Sequence, residues 1–161
     1  MRMLLIGMAS LLLVLGIGAS GLIGWRDFRD AGKLQEVSSK LDQELASLGM
    51  DREAAMKLAG AEMKQLNELT PGKFKLGGAM SFAAAAAALL LFIMMFAKRN
   101  VPALAAIAVV VVAVAMFLNP QYDTGPHDGA SARMVAMIAA ALTALGALCA
   151  FGADKLRKRT A

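Results

Sequence analysis

Four stretches of this chain carry almost no charge, and their lengths constrain everything else. They span residues 3–24, 76–97, 101–118 and 132–153. At 1.5 Å per helical residue, segments of about 18 to 22 residues match a hydrocarbon core roughly 30 Å thick. In such a core every backbone N–H and C=O must be paired within the segment, so each stretch is expected to be an α-helix. The 58% apolar content supports this reading, because soluble folds seldom exceed one half. The expected fold is all-α: a polytopic membrane protein of four transmembrane helices, in one membrane domain covering 1–161.

Charge is concentrated between Trp25 and Lys75, which holds 18 of the 29 charged side chains, nine of each sign. Its apolar residues follow a helical rhythm. Leu34, Val37, Leu41, Leu45 and Leu48 form one stripe, and Met56, Met63 and Leu66, with Ala59, form a second. Gly49 supplies a helix stop and Asp51 a cap for a new helix, and Thr70-Pro71-Gly72 closes it. The expectation is an extramembrane helical hairpin over 26–70, with helices at about 26–48 and 51–69 that extend the first two membrane helices beyond the bilayer. Two short helices bury little surface alone. The apolar stripes therefore define the expected partner-binding face, against other membrane subunits or a second copy of the chain.

Small residues recur at helical spacing inside the apolar runs. Gly16, Ser20 and Gly24 lie four apart, as do Ala136, Ala140 and Ala144, and Gly146 and Ala150. Lipid gives helices no hydrophobic reason to pair, so close approach at small residues is the usual route to association. These positions are expected to be helix-packing faces. The six alanines at 83–88 should likewise rest against neighbouring helices.

Basic residues flank the runs: Arg2, the Lys98-Arg99 turn, and Lys155, Arg157, Lys158 and Arg159 in the tail. Four crossings place all of these on one side, and the bias of Lys and Arg toward the cytoplasm makes that side the inside. The reading is N-in and C-in, with 26–75 and the loop 119–131 outside and a basic cytoplasmic tail at 154–161. Trp25, Phe74 and Tyr122 suit an aromatic belt at the outer interface. Alanine- and glycine-rich composition points to a bacterial inner membrane. The net charge of +5 arises from these anchors, and nucleic acid is not an expected partner.

The chemistry-bearing residues are few. No Asp, Glu, Lys, Arg or His lies well inside a run, which argues against a pump or proton-coupled carrier, and histidines for a membrane haem are missing. Tyr122, Asp123, His127 and Asp128 cluster in the 119–131 loop, but three of them are good turn residues. The lone Cys149 sits in an apolar run. No catalytic site, cofactor or metal is expected. The function expected is a non-catalytic membrane subunit that stabilises a larger assembly through its small-residue faces and hairpin. A homo-oligomeric pore and a membrane-anchored sensor or tether are the alternatives.

Overall fold

The protein is described by a computed structural model. The structure describes residues 2–51, 53–55, 57, 70–97, 99–119 and 132–159. It is all-α, with four long helices: α1 (Arg2–Ser47), α2 (Pro71–Ala97), α3 (Val101–Leu118) and α4 (Ala132–Arg159). All four are long and apolar enough to cross a membrane. Residues 53–55 and 57 are also helical, in the segment between α1 and α2.

The burial pattern explains how the helices assemble. Along α1 the buried positions are Ala9, Leu13, Gly16, Ser20, Ile23 with Gly24, Asp27 and Ala31. In α3 they are Val101, Ala105, Ala108, Val112 and Ala115. Steps of three and four alternate, as in helices that cross at a small left-handed angle and keep one seam facing their neighbours. α1 packs against α2 and α4, and α3 packs against the same two helices. The result is a square, antiparallel bundle with α1 and α3 on one diagonal. The seams are built largely of Ala, Gly and Ser, so the backbones lie close and the bulky residues point outward. Leu4, Leu11, Leu22, Ile93, Val110 and Phe117 are all exposed, which suits a surface solvated by lipid tails.

α1 continues past Trp25 without a break, so the first apolar run and the first hairpin helix are one helix of 46 residues, about 69 Å long. No proline interrupts it, and Arg26–Asp30 and Glu36–Lys40 bridge successive turns on its polar side, at 3.6 and 2.8 Å. It ends where the sequence indicates. Gly49 adopts a φ of +68°, the Met50 N–H donates to Leu45 O and the Gly49 N–H donates to Ala46 O, the paired bonds of a glycine-terminated helix. Asp51 then accepts a bond from the Ala54 N–H at 2.7 Å, so it caps the next helical turn. The remainder of the expected second hairpin helix, including Met63 and Leu66, lies outside the described residues.

α2 also begins earlier than expected. Pro71 occupies its first position, where a missing N–H costs nothing, and the Lys73 N–H bonds Thr70 O. The Thr70-Pro71-Gly72 sequence, expected to close a helix, therefore opens one. Between α2 and α3 the chain reverses at Asn100, which takes the left-handed conformation (φ 49°, ψ 26°) that asparagine tolerates better than most residues.

Candidate functional site

The polar residues buried in the bundle form the candidate site. Asp27, Ser20 and Thr143 lie in the helix seams, with Ser81 on α2 and Asn119 just past the end of α3. The principal contact joins α1 to the end of α3. Asn119 Nδ2 donates to Asp27 Oδ2 at 3.2 Å, and the two residues are only 6% and 1% exposed. This bond spans the diagonal that α1 and α3 do not otherwise close. Asp27 lies past the apolar run 3–24, one turn beyond Ile23. Burial pushes its carboxyl up to about 6, helped by the nearby Asp30 charge and opposed by Arg26 and the Asn119 amide. Asn119 Oδ1 and Thr143 Oγ1 are buried with no hydrogen-bond partner among the described residues.

Small residues decide where the helices meet. A methyl group added at Gly16 would collide with the Thr143 hydroxyl and reach the Thr143 backbone N at 3.3 Å. Gly24 and Gly78 face each other across α1 and α2. A Cβ on Gly24 would lie 3.1 Å from Gly78 O, and one on Gly78 would lie 3.1 Å from Gly24 O. Phe28 and Phe82 flank this contact and stack with centroids 5.9 Å apart. The space beside Gly146 is filled by Leu13, whose Cγ would lie 2.9 Å from an added methyl.

At the opposite end, Asp154 is buried and holds Arg157 Nη2 at 3.0 Å and Lys158 Nζ at 3.1 Å. Arg2 and Arg157 border a groove of about 20 Å³ with Ile6, Met95, Val101 and Asp154. Arg99 and Lys155 are exposed. Two of the tail's basic groups are thus paired to an acid that the sequence pattern left in the background. Lys98 and the side chain of Arg159 lie outside the described residues.

The small residues pack helices of the chain's own bundle. Gly16, Ser20, Gly24, Ala136, Gly146 and Ala150 are all buried there. Ala140 and Ala144 are half-buried, since the α4 seam follows Ala136, Ala139, Thr143 and Ala147 with mixed three- and four-residue steps. The alanine run presents Ala84 and Ala88 to the interior, while Ala83 and Ala86 are exposed. Phe74, expected in the aromatic belt, is 2% exposed and packs inward, whereas Trp25 is 66% exposed.

The stripe beyond the bundle behaves differently. Leu34, Leu41 and Leu45 are half-buried, and Val37 and Leu48 are exposed. Met56 and the Tyr122, Asp123, His127 and Asp128 cluster lie outside the described residues. Among the described residues no three His, Cys, Asp or Glu side chains converge to hold a metal. The pairing of Asp27 with Asn119 is not evident from the sequence. Asp27 is nonetheless in phase with Ser20 and Ile23 on the α1 seam, which is the one signal available there.

The architecture is that of a polytopic helical membrane protein: four helices are long and apolar enough to cross a membrane, and the first, at 46 residues, is longer than a crossing requires. The chain matches no protein-family model, no curated protein and no solved structure.

Proposed function

We propose that this protein is a non-catalytic subunit of a membrane assembly and that the projecting half of α1 is its docking element. The supporting observation is the unbroken run of α1 to Ser47, with Val37 exposed on it and Leu48 exposed just past its end. A continuous helix holds these side chains at a fixed distance and angle from the membrane, which a flexible tether could not. The half-buried Leu34, Leu41 and Leu45 continue the phase of the bundle seam, so the surface that joins helices inside the membrane extends outside it. Because the small-residue faces are taken up within the chain, the partner contact falls to this stripe and to the outward-facing bulky residues of the bundle.

In this reading the Arg2 end, with Arg99, Lys155 and Arg157, faces the cytoplasm of a bacterial inner membrane, and the α1 extension lies outside. A photo-crosslinking residue at Leu41, activated in intact membranes, is expected to capture other membrane subunits. Capture of the chain itself would favour a homo-oligomeric pore, and capture of nothing would remove the docking role. Orientation is checked in the same membranes. With Cys149→Ala as background, Glu44→Cys is expected to react with a membrane-impermeant thiol reagent in intact cells. Protection of that residue until the cells are lysed would reverse the orientation.

A further inference from the structure

Between α1, α2, α3 and α4, near the Asp27 end, lies a cavity of about 10 Å³ bordered by Ser20, Ser81, Val112, Asn119 and Ala139. We propose that it is a built binding site for a single ordered water molecule that links α1, α2 and the end of α3. Its size is the first reason: it holds about one water-sized sphere, the least that can hold a water. Its chemistry is the second. Asn119 is only 6% exposed and commits its amide N–H to Asp27 at 3.2 Å. That commitment turns Oδ1 away from Asp27, where it has no donor among the described residues. A buried acceptor without a donor is costly, and the site therefore selects a molecule that donates.

The Ser20 and Ser81 side chains are both buried at the same cavity, and each hydroxyl can donate or accept. A water there has the two to four polar neighbours that retain buried water in proteins. The remaining walls, Val112 and Ala139 among them, are apolar. A bare cation is a poorer match. Asp27 does not border the cavity, and two hydroxyls and one amide oxygen supply neither the ligand number nor the charge that a dehydrated metal ion needs.

The deciding experiment is crystallography of the full chain from a lipid phase at neutral pH, with sodium and rubidium salts in parallel. The expected result is one density peak at roughly 2.5–3.0 Å from Asn119 Oδ1, of equal height in both salts and without anomalous signal. A dry cavity would overturn the proposal. So would a peak that acquires the rubidium anomalous signal, which would make this a cation site.

Discussion

Gly16→Val is expected to unfold the bundle several degrees earlier than wild type, while Gly18→Val, two residues along the same helix, leaves it nearly unchanged. The two glycines have the same chemistry and different surroundings. A Cβ at Gly16 meets the hydroxyl and backbone of Thr143 on α4, whereas one at Gly18 meets nothing within 4 Å. Backbone cannot retreat as a flexible side chain does, so α1 and α4 must separate. Overpacking of this kind costs roughly 1–3 kcal/mol, which corresponds to about 2–4 °C per kcal/mol for a chain of this size. The measurement is thermal unfolding in detergent, followed by helical circular dichroism. Because the nearest atom is the Thr143 hydroxyl, the milder Gly16→Ala should be partly rescued by Thr143→Ala. A double-mutant cycle with no coupling would mean that α1 and α4 do not meet here.

The second large effect concerns Asp27. Its folded-state carboxyl titrates at about 6 against an ordinary value of 3.8. Between these values the folded protein binds more protons than the unfolded chain. Asp27 therefore supports stability most at low pH, and that support is lost as pH rises from about 4 through 6. Fully expressed, the loss is about 3 kcal/mol, since each tenfold change in proton affinity corresponds to roughly 1.4 kcal/mol. Asp27→Asn keeps the shape and a hydrogen bond to Asn119 but has no charge to desolvate. It is expected to unfold at a higher temperature than wild type at pH 7.5 and to show little change from pH 5 to 7.5, while wild type loses several degrees over the same interval. A lower midpoint for Asp27→Asn at pH 7.5 would show that the ionised carboxylate has a stabilising cation partner.

Much of the architecture was legible in the sequence because the bilayer imposes a strict length and polarity test. The four apolar runs passed it, and the local signals at Gly49 and Asp51 marked a real helix end and a real cap. The continuity of α1 was legible as well, as an extension of the first membrane helix into the hairpin. A change from apolar to charged composition looks like a boundary, but the backbone responds to Gly, Pro and capping residues, and nothing at Trp25 was strong enough to stop a helix. The small-residue faces were legible as packing positions, but their partners were not. Spacing shows that a helix can be approached closely, but not whether the approaching helix belongs to the same chain. Here Thr143, Gly78 and Leu13 fill those places. The Asp27–Asn119 pair joins residues 92 positions apart, a distance at which no local pattern speaks.

The unbroken α1 also has a mechanical consequence. Its close contact with α2 at Gly24 and Gly78 falls near the middle of the 46-residue helix. On either side, about 22 residues give an arm of roughly 33 Å. The arm toward Arg2 is clamped along its length, at Leu13 and Gly16 against α4 as well as at Gly24 against α2, so the rod is a beam fixed at one end. Sideways force at Ser47 is therefore carried to the last packed turns, at Asp27 and Ala31, as bending stress on the helix. Yielding there would break backbone hydrogen bonds, and α1 has no proline to make that easy.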